Sequence, residues 1–454
     1  MKANSPFELG TENINTLLKK YALPSIAAMT AASLYNITDS AFIGQGVGDV
    51  ALAGLAFTFP LMNLAAAFGS LVGLGGATLL SIRMGQKDYA AAKLILGNVL
   101  ILNLVLGIAF SAAMLLFLDP MLYFFGARGA EIEYARDFMQ IILAGNVLTQ
   151  TYIGLNMMLR SSGNPKMAMV SIIGTVVINL VLNPLFIFGF GWGIRGSAAA
   201  TLISQAVMFV WQLRFFSNKG NFIRIEKSIF KWKKKIVTDL LAIGLSPFFM
   251  NTAACLIVVV INQGLKKYGG GSAVGAYGIV NRMAFLFFMT VMGLNQGMQP
   301  IVSYNYGAKQ YARVTETLRK TILWAVLVMS IGFVFVELFP RAVASIFTAN
   351  EVLIDDAVMG LRLVFCSFPL IGFQVVTTNF FQSIGKSQIS IFLSLTRQLL
   401  FFLPLLLLMP PHFGLNGVWY SFPIADTIAF IIAAVMLAVQ MKKLRKTQDT
   451  RCKT

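Results

Sequence analysis

Long apolar stretches separated by short polar loops run along the whole chain. Each stretch is long enough to cross about 30 Å of hydrocarbon as a helix. Six stretches precede a polar, basic connector that begins near residue 218, and six follow it. The predicted spans are 17–44, 50–80, 92–118, 135–159, 167–190, 194–216, 238–265, 273–300, 316–339, 354–381, 388–410 and 415–441. The pattern therefore predicts an all-α, polytopic membrane protein with twelve transmembrane helices.

The two sets of six spans repeat each other. The sequence GQKDYA at Gly85 is matched by GAKQYA at Gly307, 222 positions later, and GIRG at Gly193 is matched by GLNG at Gly414, 221 positions later. Repeats with an even number of helices run parallel, and transporters built from repeats place their pathway between them. We predict an N-terminal six-helix bundle, a cytoplasmic connector, a pseudo-symmetric C-terminal six-helix bundle and a basic cytoplasmic tail, at 1–217, 218–236, 237–441 and 442–454.

Composition and charge agree with a membrane location. The chain is 57% hydrophobic and 12% charged, with a net charge of +18, and soluble domains carry about twice that charged fraction. Of the lysines and arginines, 27 lie on the side that holds both termini and the connector, and six lie in the loops of the other side. This asymmetry predicts a multi-pass protein of the cytoplasmic (inner) membrane with both termini cytoplasmic. Basic residues in short loops favour lipid contact and no nucleic-acid partner.

The chain lacks the residues that several classes of function require. The chain has one histidine and three scattered cysteines, which is not the pattern of a disulfide framework or a metal site. No Walker A sequence is present, so direct drive by ATP is not supported. We predict a protein that is not an enzyme and needs no cofactor.

The first span contains a single carboxylate, Asp39, with Tyr35 and Asn36 one helical turn earlier on the same face. A charge inside hydrocarbon is expensive and usually marks a functional site. Neutral polar residues often serve only to hold membrane helices together. That structural role does not need a charge, so a functional role is favoured for Asp39.

Two later spans carry polar stripes at helical spacing. The stripes consist of Thr175, Asn179 and Asn183 in the fifth span, and of Ser197, Thr201, Ser204 and Gln205 in the sixth. Both spans meet at a turn near Phe190, and seven residues separate that turn from Asn183 and from Ser197. Asp39 is equally far from the end of its span, roughly 10 Å deep. Asn179 and Thr201 are each eleven residues from the turn. We expect one acid, two amides and a hydroxyl to converge in the outer half of the N-terminal bundle, although helix packing alone also explains each amide or hydroxyl.

The C-terminal half has charged residues at two equivalent positions. Arg397 corresponds to Thr175, and Asp426 corresponds to Gln205. Their similar depth on neighbouring antiparallel helices predicts an ion pair, and a structural salt bridge is favoured over a substrate or proton site. Arg282 has no partner that the sequence identifies.

The ordered motifs resemble the multidrug and toxic compound extrusion (MATE) family, in its bacterial DinF/MepA-like branch. The resemblance covers essentially the whole chain. Its motifs are TDSAFIG from Thr38, MGQKDY from Met84, RSSGNP from Arg160, NLVLNP from Asn179 and the repeated glycine pairs before the sixth and twelfth helices. It implies two bundles forming a V around a substrate cleft, and efflux coupled to inward H⁺ or Na⁺.

The resemblance also implies site residues. The helix 1 acid of the branch falls on Asp39, the helix 5 amide on Asn179 and the helix 6 hydroxyl on Thr201, which is where Na⁺ would bind. The branch usually has a second acid before the helix 5 proline, and here that position is Asn183. We expect coupling through Asp39 with Asn179, Asn183 and Thr201, and a lower Na⁺ affinity than in relatives with both acids.

The leading hypothesis is therefore a monomeric antiporter that exports small amphipathic, often cationic organic compounds and contributes to antibiotic resistance. Tyr35, Asn36, Thr175, Ser197, Gln205, Arg282, Arg397 and Asp426 are expected to line the cleft or support the site. The alternative is a flippase for a lipid-linked precursor. A pyrophosphate-linked lipid needs several arginines or lysines in the cleft, and only Arg282 and Arg397 are candidates.

Overall fold

A computed structural model describes residues 6–348 and 350–452, which are almost entirely helical and contain no β-strand. The α-helices are α1 (Ile14–Gly46), α2 (Asp49–Gly85), α3 (Tyr89–Leu116), α4 (Leu118–Phe124), α5 (Glu131–Ala144), α6 (Asn146–Ser161), α7 (Pro165–Pro184), α8 (Gly193–Ser217), α9 (Lys234–Gly307), α10 (Tyr311–Leu338), α11 (Pro340–Ser345), α12 (Glu351–Phe365), α13 (Phe368–Ser383), α14 (Ser387–Leu395), α15 (Leu403–Leu408), α16 (Pro410–Phe413) and α17 (Leu415–Cys452). Short 3₁₀-helices lie at Pro6–Gly10 and Lys227–Ile229, and π-helical turns lie at Leu185–Gly189 and Thr396–Phe402.

These helices form the twelve predicted spans. Eight helices of the described chain are long and apolar enough to cross a membrane, and two bent pairs, α5 with α6 and α12 with α13, bring the number to ten. The 74-residue α9 counts twice because its backbone breaks at Gly270, where φ is 69°. Helix α1 is less apolar, but its 33 residues extend for about 50 Å. The all-α fold with two six-helix bundles is confirmed.

Two predicted spans and one predicted loop differ from their predicted form. The predicted spans 135–159 and 354–381 are each broken, with bends of 58° and 49° between their two helices. The breaks lie at Gly145 and at Ser367, which are equivalent positions of the two halves. The loop expected to hold Lys266 and Lys267 is instead part of α9. The described part of the predicted tail continues α17, and residues 453–454 lie outside the described chain.

The two halves touch through a reciprocal pair of glycines. A Cβ on Gly85 would lie 2.0 Å from the carbonyl oxygen of Tyr304, and a Cβ on Gly307 would lie 2.2 Å from that of Ile82. Residues 82 and 85 become 304 and 307 when 222 is added. Each half therefore presents the same small residue to the same backbone position of the other, as a two-fold axis requires.

Further close approaches follow the same helices toward the middle of the fold. A Cβ on Gly75 would lie 2.2 Å from the carbonyl oxygen of Leu240, and one on Gly244 would lie 1.8 Å from that of Leu71. Glycine is needed because any side chain would enter the facing backbone. These contacts close the fold at the end that carries the connector.

The N-terminal segment strengthens this closed end. The side chain of Leu9 is fully buried, and its carbonyl oxygen accepts hydrogen bonds from Asn305 Nδ2 at 2.9 Å and Arg313 Nη2 at 3.1 Å. The Phe7 ring packs edge-on against Tyr89 and against Phe222 of the connector. The segment thus joins residues of both halves.

Candidate cation and substrate sites

Asp39 on α1 is held by side chains from two other helices. Ser197 Oγ of α8 donates to Asp39 Oδ1 at 2.7 Å, and Asn183 Nδ2 of α7 donates to the same oxygen. Both donors are fully buried, whereas Asp39 is half-buried. The second oxygen, Oδ2, has no hydrogen-bond partner in the described residues, and no cationic side chain pairs with this acid there. The site is a lone carboxylate oriented by neutral donors.

The other predicted coupling residues continue from Asn183 as a chain of hydrogen bonds. Asn183 Nδ2 lies 3.4 Å from Asn179 Oδ1, and Asn179 Nδ2 donates to Thr201 Oγ1 at 3.2 Å. Thr201 Oγ1 in turn lies 2.9 Å from the Tyr35 hydroxyl. The structure therefore brings together Asp39 and all of its predicted coupling partners. Thr201 reaches the acid only through the two amides.

Pro184 shapes the backbone beside Asn183. Proline lacks the N–H that would continue the helix ladder, and α7 passes directly into the π-helical turn Leu185–Gly189. Such wide turns are frequent at functional sites. Asn183 Oδ1 is buried and has no hydrogen-bond partner in the described chain. A second free oxygen thus lies on the residue that binds Asp39.

Three predicted supporting residues lie outside this network. Asn36 is exposed and donates to a backbone carbonyl one turn earlier. Thr175 donates to the Tyr152 hydroxyl at 2.9 Å, and Gln205 Oε1 accepts from Thr149 Oγ1 at 2.6 Å. Sequence reasoning missed Thr149 and Tyr152, although their spacing of three places both on one face of α6.

In the C-terminal half, the predicted ion pair is confirmed. Arg397 Nε donates to Asp426 Oδ1 at 2.7 Å, and Ser367 Oγ donates to Asp426 Oδ2 at 2.7 Å. The side chain of Arg397 is 27% exposed and that of Asp426 is 5% exposed. Arg282 is exposed and forms no ion pair among the described residues.

A cavity of about 310 Å³ lies beside this pair. Its lining combines the two charged residues with aromatic and aliphatic side chains from several helices. The lining includes Ile261, Tyr277, Asn281, Phe285, Phe288, Phe368, Arg397, Gln398, Phe402, Phe422 and Asp426. A concave, mostly apolar space with a few polar groups is the usual form of a small-molecule site.

The described residues contain no group of three or more histidine, cysteine or acidic side chains that could hold a metal ion. Asp39 is the one acid in the hydrogen-bond network described above, so a cation there would have one carboxylate and neutral oxygens around it. Fewer ligand charges weaken the binding of a hard cation, and the lower Na⁺ affinity expected from the sequence stays a prediction.

Two pseudo-symmetric six-helix bundles that enclose a lone intramembrane acid define a multi-pass membrane transporter, a class distinct from enzymes. The MatE family model matches residues 24–185 and 246–408, one range in each half. The chain therefore belongs to the MatE family.

Relatives match along nearly the full chain. The multidrug export protein MepA of Staphylococcus haemolyticus is 25% identical over 449 residues, which cover 99% of this chain and 98% of that protein. MepA of Staphylococcus aureus strain NCTC 8325 is 25% identical over 436 residues, covering 95% and 94%. A ligand-bound structure of the MATE multidrug transporter DinF-BH is 36% identical with a TM-score of 0.88, covering 94% and 96%. An outward-facing MATE family transporter has a TM-score of 0.92 at 24% identity, covering 98% of this chain and all of that one.

Proposed function

We propose that the protein is an antiporter that exports small amphipathic, often cationic organic compounds in exchange for inward H⁺ or Na⁺ at Asp39. The observation that carries this proposal is the bonding of Asp39. Two buried neutral side chains hold one oxygen, and the other oxygen is left without a partner among the described residues. Multidrug export by the MepA relatives supports the same substrate class.

The orientation follows from the loop charges. The closed end carries the connector and the N-terminal segment, and 27 basic residues lie on that side against six in the loops of the other. We place the closed end in the cytoplasm, in the cytoplasmic membrane. Substrate and coupling ion then reach the bundles from outside in this conformation.

A cycle can be built on the charge of Asp39. Facing outward, its free oxygen takes a proton or Na⁺, which removes a charge that the apolar surroundings penalise. Helices α7 and α8 contact the acid through Asn183 and Ser197, so a change in that charge alters their packing against α1. Altered packing releases the substrate outward, and the return to the inward state frees the ion to the cytoplasm.

The test uses purified protein in proteoliposomes with a lipophilic cationic dye. Dye transport is driven separately by an imposed pH gradient and by a Na⁺ gradient, and the gradient that works identifies the coupling ion. Asp39→Asn should abolish gradient-driven transport while the protein stays folded. The matched control is Asp49→Asn, which makes the same chemical change at an exposed acid at the start of α2. Transport by Asp39→Asn at the wild-type rate would refute the proposal.

The orientation is tested by cysteine labelling in a background without native cysteines. Lys233→Cys in the connector should react only with a reagent supplied from the cytoplasmic side. Arg128→Cys, between α4 and α5, should react only from outside. Labelling of both positions from one side would contradict the topology.

A further inference from the structure

The cavity in the C-terminal half is the pseudo-symmetric counterpart of the Asp39 site, but its polar groups are replaced. The positions equivalent to Asp39, Asn179, Asn183, Ser197 and Thr201 hold Ile261, Phe401, Leu405, Val418 and Phe422. Two of these apolar residues, Ile261 and Phe422, line the cavity. The space that surrounds a lone acid in one half is therefore apolar and aromatic in the other.

The Arg397–Asp426 pair does not present its two charges equally to this cavity. Both oxygens of Asp426 already accept a hydrogen bond, one from Arg397 Nε and one from Ser367 Oγ, and the acid is 5% exposed. Arg397 is 27% exposed, and its Nη1 and Nη2 form no hydrogen bond within the described chain. The lining thus offers a guanidinium fork, while the carboxylate is buried and each of its oxygens already accepts one hydrogen bond.

Two further polar groups of the lining also lack partners. Gln398 Oε1 is buried without a hydrogen bond among the described residues, which carries a free-energy cost unless something bonds to it. Tyr277 lines the same cavity, and its hydroxyl forms no hydrogen bond within the described chain either. Arg397 and Gln398 both belong to the π-helical turn Thr396–Phe402, a wide turn of the kind that is frequent at functional sites.

We infer that this cavity binds an amphipathic aromatic carboxylate, with its anionic head on the guanidinium of Arg397. Planar carboxylates match an arginine fork with two parallel, charge-assisted hydrogen bonds. The ring of the ligand would pack against the aromatic lining, where offset and edge-on contacts are favourable. A permanently cationic compound would face the exposed guanidinium, so this cavity discriminates against it. Only the claim that such a compound is cargo rests on the proposed export function.

The binding test compares two probes that differ in charge alone. Naphthylacetate and naphthylacetamide have nearly the same size and shape, and only the first is anionic at neutral pH. Affinities are measured by calorimetry on the purified protein without any gradient. We expect the acid to bind at least tenfold more tightly than the amide. Equal affinities, or no binding of either probe, would overturn the inference.

Three variants test whether the preference for the acid over the amide arises in this cavity. The double change Arg397→Met with Asp426→Leu removes both charges without leaving one unpaired, and the preference for the acid should fall to near unity. Arg397→Lys keeps the charge but loses the fork and should reduce the preference partly. Ala284→Trp fills the cavity and should weaken both probes. The control is Arg362→Met, which removes an exposed arginine of the same half that pairs with Glu337.

The outcomes separate this inference from the proposed function. A preference for the acid that survives the double change, or unaltered binding in Ala284→Trp, would refute the C-terminal site while gradient-driven dye export stays intact. Gradient-driven export that does not depend on Asp39 would refute the coupling proposal and leave the binding result unchanged. Gradient-driven transport of naphthylacetate, lost in the double variant, would support its role as cargo.

Discussion

Asp39 and Asp426 are both acids inside helical bundles of the same ancestry, but they have different partners. Asp39 is held by an amide and a hydroxyl, whereas Asp426 is bonded to an arginine and a serine. An acid without a cationic partner can bind and release a cation, and no neighbouring charge is left uncompensated when it does. Asp426 is instead part of an ion pair, and removing either partner would leave the other charge buried and uncompensated.

The difference assigns separate tasks to the two halves. In the proposed cycle, the charge of Asp39 in the N-terminal half changes when it binds and releases the ion. The C-terminal half has a fixed pair beside a cavity of about 310 Å³, which suits ligand binding. Under the two proposals, the coupling ion and an organic compound bind at equivalent places in the two halves of a repeated fold.

The largest expected effect is on stability in the C-terminal half. Arg397→Met leaves Asp426 buried without its counter-charge, which typically costs about 3–5 kcal/mol. Adding Asp426→Leu should restore most of that loss. Thermal unfolding in detergent measures each variant. Asp39→Asn is measured as a comparison; it removes an unpaired charge and leaves no counter-charge behind, so its midpoint should not fall below that of the wild type. Additive losses in the double variant would show that the two charges do not depend on each other.

A smaller effect is expected at the donor of the lone acid. Ser197→Ala removes a hydrogen bond to the carboxylate, and such bonds contribute about 1.5–3 kcal/mol. Asn183 is then the one remaining donor to this carboxylate among the described residues, so the infrared stretching band of the Asp39 side chain should shift. Difference infrared spectroscopy of the variant against the wild-type protein measures this band. Ser204→Ala is the control, because Ser204 of the same helix bonds only to the Ala200 carbonyl oxygen; an equal shift there would exclude a specific role of Ser197.

The smallest effect is expected when a second acid is supplied. Asn183→Asp places another carboxylate against Asp39, and we expect Na⁺ affinity to rise about tenfold, roughly 1.4 kcal/mol. The Na⁺ dependence of the unfolding midpoint reports this change, since an ion that binds only the folded state stabilises it. Asn36→Asp, at an exposed amide outside the network, is the control. An unchanged Na⁺ dependence in Asn183→Asp would mean that residue 183 does not face the ion.

Much of this arrangement follows from counting along the chain. The number of residues between a side chain and the turn near Phe190 gives the depth of that side chain in its span. Matching depths correctly placed Asn183 and Ser197 level with Asp39. Counting does not give the rotation of each helix about its own axis. The family resemblance assigned the coupling role to Thr201 and left Ser197 as a supporting residue, whereas Ser197 contacts the acid directly.

The bent spans escaped prediction for a related reason. A hydropathy pattern records only that a stretch is apolar on average, and each broken pair of helices is apolar enough to count as one span. At the first break, Gly145 packs so closely that a Cβ there would lie 2.4 Å from the Leu202 side chain. The equivalent break at Ser367 carries the hydroxyl that bonds Asp426. Both contacts depend on which helices pack together in the folded protein, and a hydropathy pattern does not contain that information.

The reciprocal contact of Gly85 and Gly307 has a consequence for genetics. Because each glycine faces the backbone of the other half at the same position, enlarging either one forces apart the same pair of helix ends. Valine at one position should thus be a phenocopy of valine at the other, although the codons lie 222 positions apart. Suppressors of either allele should arise in both halves of the gene, since any change that lets the helix ends separate relieves both lesions.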